Sequence, residues 1–333
     1  MWVSVQNDLA LTTALGAGIT QIRLPMAGNP LRYINGYLLE DDGGYTLVDC
    51  GWKADDVLAA LHAALAECGL TLKAVQRLLI THVHFDHYGL AGTLRRAGVP
   101  ELIMHENDWA FARDYLGDPS ALDATADAWI SRNGLHFDAV LDDEIQHNRT
   151  EVAEPTSLAA DRTRIGRLLA VWTPGHTAGH LCYVDTRSGK MLTGDHVLDP
   201  ITPHVGVWHE HRGDPLGDYI DSLQKVKTIG ATGVLPAHGE PFPDLDRRVD
   251  QLLEHEETRE GQVLDRLSTA GSASAADIAR SLPWTRKNRD FTELSEAHQQ
   301  FAVAETIAHL EHLRLGRRVT RDASSAAIVY ATA

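Results

Sequence analysis

Thr81-His82-Val83-His84-Phe85-Asp86-His87 places four potential metal ligands within six residues, directly after the β-branched and leucine run at 75–80. On an extended segment His82 and His84 point to the same side, because strand side chains alternate. Asp86 and His87 follow where the chain turns toward the next helix. Imidazole and carboxylate suit zinc, and also iron or manganese. One such histidine alone would be an ordinary surface residue at a turn. This cluster has distant companions, each at a strand-to-loop junction. Pro174-Gly175-His176-Thr177-Ala178-Gly179-His180 follows the run at 168–173, Thr193-Gly194-Asp195-His196 the run at 190–193, and Pro236-Ala237-His238-Gly239-Glu240 the run at 233–236. Small residues beside each candidate let the backbone bend close to an ion. The combined spacing points to one metal site assembled from separate strand ends.

The elements that carry these loops have their own signals. Runs at 32–40 and 45–49 flank Asp41-Asp42-Gly43-Gly44, a hairpin pattern. Residues 53–68 carry Val57, Leu58, Leu61 and Leu65 at helical spacing, with Gly69 as the stop. A strand is expected at 101–105. From 106 to 147 the sequence is acidic and helical in pattern and reads as a helical insertion. Strand signals return at 168–173, 180–185 and 190–193, then a helix at 218–229 and a strand at 233–236. Such alternation argues for an α/β class with helices packed on sheet.

Pro241-Phe242-Pro243 ends that pattern. Helices are expected next at 245–269, at 274–282 with Ser274 and Asp277 as its start, and at 295–315. The segments 317–320 and 326–330 suit a small hairpin. Helices followed by a β wing are the outline of a winged helix-turn-helix. The expected division is a catalytic domain over 1–243, with the insertion at about 106–147, and a small winged-helix-like domain over 244–333.

Charge narrows the partners. Acidic residues number 46 and basic ones 30, for a net charge of −16. Such a chain is a poor generic binder of nucleic acid or anionic membrane. Arg314, Arg317, Arg318 and Arg321 form one basic group, and Arg286, Lys287 and Arg289 another. Over residues 250–333 acids still outnumber bases 13 to 10, so no strong phosphate-binding surface is indicated. Packing or homodimerisation is the role expected of this segment. Cys50, Cys68 and Cys182 form no C-x-x-C, which argues against a disulfide framework and for a reducing compartment. Residues 1–20 hold no Lys or Arg, as a signal peptide would, and no apolar run is long enough to span a bilayer. A cytoplasmic location is expected.

The His-x-His-x-Asp-His run, the later Gly-His-Thr, the Gly-Asp and the last Gly-flanked His stand in the order of the metallo-β-lactamase superfamily. The sequence resembles that family over roughly residues 20–242. The resemblance implies an αβ/βα sandwich with a dinuclear site at one edge. It implies that His82, His84 and His176 bind the first metal, that Asp86, His87 and His238 bind the second, and that Asp195 bridges them. Asp49, in Leu47-Val48-Asp49-Cys50-Gly51, matches the family's early Asp and would orient a ligand as a hydrogen-bond acceptor. His196, beside Asp195, would stand behind the ligands. His180 and His204 are the candidate substrate contacts, and the insertion would wall the pocket. Cys50 reads as a buried structural thiol.

Two zinc ions are the expected cofactors, with iron and manganese as alternatives. They would lower the pKa of a bridging water that attacks the substrate, with Asp86 and Asp195 as catalytic carboxylates. The implied function is hydrolysis of a small ester-type bond (thioester, lactone or ester), with glyoxalase II-like enzymes nearest in chemistry. A ribonuclease or phosphodiesterase with a winged-helix docking module is one alternative, opposed by the net charge. A persulfide dioxygenase, a relative that uses one iron, is another.

Overall fold

Successive residues of the central strands join different buried clusters, and that alternation of faces sorts the chain into layers. The computed structural model describes residues 10–116, 119–136, 150–209, 213–284 and 290–333. One sheet joins β1 (Thr12–Gly16), β2 (Ile19–Pro25), β3 (Tyr33–Asp41), β4 (Gly44–Val48), β5 (Val75–Leu79), β6 (Glu101–Met104) and β7 (Ser157–Leu158) in chain order. Its first three pairings are antiparallel and its last three parallel. The expected hairpin closes with Asp41 opposite Gly44. The other sheet orders β12 (Val234–Pro236), β11 (Met191–Gly194), β10 (Leu181–Asp185), β9 (Leu168–Trp172) and β8 (Arg164–Ile165). Pattern alone does not announce β7 and β8, which are two residues each.

Val48, Leu79 and Ile103 of the first sheet meet Leu168, Ala170, Leu181 and Tyr183 of the second in one buried cluster. Their chain neighbours Leu47, Leu78 and Leu102 face the other way. They pack with Val57, Leu61 and Leu65 of α1 (Asp55–Glu67), beyond which lie α2 (Phe85–Tyr88) and α3 (Ala91–Arg96) with buried Leu94. Each such leucine contributes roughly 2 kcal/mol by leaving water. The expected insertion begins as α4 (Glu106–Phe111), passes a wider helical turn at Ala112–Leu116 and continues as α5 (Pro119–Arg132). Its expected end, 137–147, lies outside the described residues.

The outer face of the second sheet is covered by α6 (Pro215–Lys227) and by the C-terminal elements. These are α7 (Leu245–Ala270), β13 (Ser272–Ala273), α8 (Ala275–Ser281), α9 (Glu296–Leu315), β14 (Val319–Asp322) and β15 (Val329–Thr332). Ser274 caps α8 by accepting from the Asp277 N–H. The last two strands pair antiparallel as the expected hairpin, and β13 adds to β15. Val171, Cys182, Met191 and Val234 of the sheet share one core with Leu252 and Val263 of α7, Ile278 of α8 and Val303 and Ile307 of α9. Trp129 and Ile130 of α5 enter the same core. The chain is therefore a four-layer αβ/βα sandwich whose second helical layer extends into the C-terminal segment. No helix among the described residues is long and apolar enough to cross a membrane.

Candidate metal centre

Sheet direction decides where the loops meet. Both β9 and β11 run antiparallel to β10, so they end at one edge, and β12 runs parallel to β11. The first sheet sends β4 and β5, also parallel, to its own edge. Polar bonds join the two edges. Leu181 N–H donates to the Thr81 carbonyl at 2.7 Å, and Asn35 N–H to that of Ala237 at 2.7 Å. Tyr183 Oη donates to the Ile80 carbonyl at 2.9 Å, and Tyr37 Oη to that of Pro236 at 2.7 Å. Tyr183 is thus a core residue, as its strand position suggests. Gly194 has φ +50, and a Cβ there would stand 2.7 Å from His180 Nε2 and 2.8 Å from Thr81 Cβ. Only glycine allows the turn that delivers Asp195.

All seven expected ligands converge. His82 Nε2 and His84 Nδ1 lie 3.0 Å apart, and His176 Nε2 lies 3.2 and 2.9 Å from them. A tetrahedral ion about 2.0–2.1 Å from each nitrogen spaces its ligands about 3.3 Å apart, so this triangle fits one. Asp86, His87 and His238 form a second group, with His238 Nε2 at 3.3 Å and His87 Nε2 at 3.8 Å from Asp86 Oδ2. Asp195 stands between the groups. Its Oδ2 is 3.7 Å from His176 Nε2, and its Oδ1 is 3.6 Å from His87 Nε2 and 3.5 Å from His238 Nε2. His87 Nε2 and Asp195 Oδ1 are buried without a hydrogen-bond partner. Orphaned atoms aimed into one gap fit a cation there.

Surrounding acceptors set the imidazole tautomers. Thr81 Oγ1 donates to Asp49 Oδ2 at 2.8 Å, so it accepts from His82 Nδ1 at 3.1 Å and leaves the His82 Nε2 lone pair facing the triangle. Asp49 Oδ2 also accepts from His87 Nδ1 at 2.8 Å, while Asp49 Oδ1 accepts from the Thr81 N–H. Asp49 does this from φ +58, a conformation Asp tolerates better than most residues. His176 Nδ1 donates to the His204 carbonyl at 2.7 Å. Such bonds hold a ligand ring in its metal-binding orientation.

Electrostatics divides the two groups. Burial, helped by neighbouring imidazoles, holds His84 down at about 3 and keeps His82 well below its usual value. Neutral imidazole is the form that ligates. Burial also disfavours charge on His87 and His238, but nearby carboxylates, Asp86 and Asp195 for both, outweigh it and raise them. The second group thus attracts positive charge. Cys50 is buried, its Sγ donates to the His87 carbonyl, and burial pushes its thiol well up, as for a structural residue.

The two residues expected to touch substrate do other work. His180 is fully buried. Its Nε2 accepts the Asp195 N–H at 3.2 Å and its Nδ1 contacts Thr173 Oγ1 at 2.8 Å, so it supports Asp195. His204 turns its ring toward α9, where Nε2 donates to the Phe301 carbonyl at 3.1 Å. Its donor is therefore not offered to substrate. His196 is buried behind His180, its ring against those of His180 and Tyr219. In the C-terminal segment, Arg314 and Arg321 pair with Glu311, and Arg318 pairs with Glu260. Arg286, Lys287 and Arg289 lie outside the described residues.

Sequence reasoning missed Asp108. This buried residue of α4 accepts from the Val83 N–H at 2.9 Å, from Thr177 Oγ1 at 2.8 Å and from the Gly179 N–H at 2.7 Å. It ties the loop of His82 and His84 to the loop of His176. Burial pushes its carboxyl up to about 6.

Known proteins are similar to this chain to different degrees. The family model described as Metallo-beta-lactamase superfamily matches residues 29–238. Probable metallo-hydrolase YqjP of Bacillus subtilis (strain 168) is 25% identical over 301 residues, covering 85% of this chain and 88% of that protein. The Atrochrysone carboxyl ACP thioesterase of Aspergillus fumigatus is 28% identical over 249 residues, 72% of this chain; the match spans 62% of that enzyme's length. A crystal structure of a metallo-beta-lactamase family protein from Thermus thermophilus has a TM-score of 0.83 at 29% identity, covering 96% of this chain and 100% of that one. That coverage takes in most of the C-terminal segment as well as the sandwich.

Proposed function

The chain belongs to the metallo-β-lactamase superfamily, and from that premise we propose that it is a dinuclear-metal hydrolase acting on a small ester-type bond, a thioester before a lactone or simple ester. The observation that carries the reading is Asp195, whose two oxygens face two separate ligand groups. Two divalent cations held there would supply Lewis acidity toward the substrate carbonyl and a nucleophile at neutral pH. Zinc suits the His/Asp donors first, and iron and manganese accept the same set.

The protein's own side chains supply the rest. His82, His84 and His176 stay neutral through burial and present lone pairs to the first position. Asp195 fixes the spacing of the two positions. Asp86 and His238 close the second, with Asp49 and Thr81 orienting His87 from behind. With one Asp86 oxygen at the second position, the other would be free to take up a proton lost by the attacking water. The thioester preference draws on the fungal relative named as a thioesterase and on the acidic chain, which suits a small substrate better than a polyphosphate.

The test is thiol release from a panel of acyl-thioesters by metal-loaded protein, with Asp195→Ala as the control. Turnover is expected to need metal and to fall about a hundred- to a thousandfold in the variant, as when a group central to charge stabilisation is removed. Protein that holds two metals and releases no thiol would refute the thioester reading and bring lactones forward.

A further inference from the structure

The loop that follows Asp195 is pinned from behind along its length. Arg248 of α7 donates from Nε to the Leu198 carbonyl at 2.5 Å and from Nη2 to that of Ile201 at 2.7 Å. Val207 N–H donates to the Ala304 carbonyl of α9 at 3.1 Å, and Trp129 Nε1 of α5 donates to the Val207 carbonyl at 3.1 Å. Between these anchors stands His204, which faces two ways. Its carbonyl accepts from His176 Nδ1, and its ring Nε2 donates to the Phe301 carbonyl. Phe301 and Trp208 pack around that ring, with centroids 4.8 and 5.8 Å away.

We propose that His204 is a positioning residue that ties the first metal position to helix α9, so that the C-terminal segment is a working part of the metal centre. The argument is one of tautomer and direction. A carbonyl can only accept, so His176 must carry its proton on Nδ1 and turn the Nε2 lone pair toward His82 and His84. That holds only while the His204 carbonyl stays in place. The carbonyl belongs to a loop, and loops move unless tied down. The Phe301 bond is the tie at the residue itself. Because the Phe301 carbonyl likewise can only accept, His204 Nε2 carries the proton, and a side chain without a donor there cannot replace it. The helix whose carbonyl it uses begins beyond residue 294, so a contact remote in sequence decides how firmly a metal ligand is held.

This inference rests on reading His82, His84 and His176 as metal ligands, and its test separates the two. Metal-free wild type, His204→Phe and His204→Gln are titrated with Zn2+ against a chromogenic chelator, and their Co2+-loaded absorption spectra are recorded. His204→Phe keeps the ring packing and removes the donor; its first metal is expected to bind about 10- to 100-fold more weakly, as for other lost outer partners of a ligating histidine, with an altered Co2+ spectrum. His204→Gln places an amide donor where Nε2 stood and should restore affinity to within a few-fold of wild type. Unfolding of the metal-free variants distinguishes a lost anchor from a lost fold: the expected result is weakened binding in a protein that still unfolds cooperatively. Equal affinity and an unchanged spectrum in His204→Phe would overturn the positioning role while leaving the metal reading intact. Wild type that binds no metal would overturn both.

Discussion

Asp108→Ala should damage the metal centre without touching a ligand. The wild-type carboxylate satisfies the N–H groups of Val83 and Gly179 and the hydroxyl of Thr177, all in a buried setting. Alanine leaves both N–H groups unpaired. Each such group costs about 1–3 kcal/mol, while the Thr177 hydroxyl can rotate toward water. A loss of about 2–6 kcal/mol in the metal-free protein follows. The same carboxyl adds a pH signature. Burial raises it to about 6 from an ordinary 3.8, so between those values the folded state holds a proton that the unfolded chain releases. Stability from this source is full below the unfolded value and declines as pH rises through the folded one, by about 1 kcal/mol between pH 5 and 7. Urea unfolding of metal-free wild type and variant, followed by tryptophan fluorescence, should therefore show a larger gap at pH 5 than at pH 7. Identical midpoints at pH 7, or a gap that widens with pH, would refute the clamp.

Two other outcomes are expected. Chelation should abolish turnover and lower the melting temperature, and at metal concentrations a thousandfold above Kd the bound ion should restore about 4 kcal/mol; adding back Zn2+, Mn2+ or Fe2+ separately ranks the metals by activity, and a chelated protein with unchanged melting temperature and rate would contradict the site. Gly194→Ala should cut bound metal and melting temperature together, because the added Cβ meets His180 and Thr81 at a positive φ; an alanine variant with full metal content would show that the Asp195 turn is less constrained than its geometry implies.

What could be read from the sequence differs in kind from what could not. His82, His84, Asp86 and His87 are recognisable because the ligand chemistry lies in the side chains and their spacing follows a strand exit. The helices at Leu245–Ala270 and Glu296–Leu315 are recognisable because apolar spacing and caps are local. Asp108 is not, since its partners are two backbone N–H groups and one hydroxyl, and an amide leaves no mark on the residue that bears it. Seen in sequence, it is one more acid in an acidic stretch. His204 misled for the mirror reason: a histidine on a loop suggests a ring that donates to substrate, whereas the contact that orients His176 is its carbonyl. His180 likewise works through an amide, that of Asp195. The division at residue 243 follows a real change of pattern, yet Val171 and Cys182 of the sheet share a core with Val303 and Ile307 of α9. Side-chain identity thus announces the candidate ligands and the Asp49 that orients His87, whereas Asp108, His180 and His204 hold the site through backbone groups. Substitutions outside the motifs, in α4 and α9, should then alter metal retention as strongly as many changes within the ligand loops.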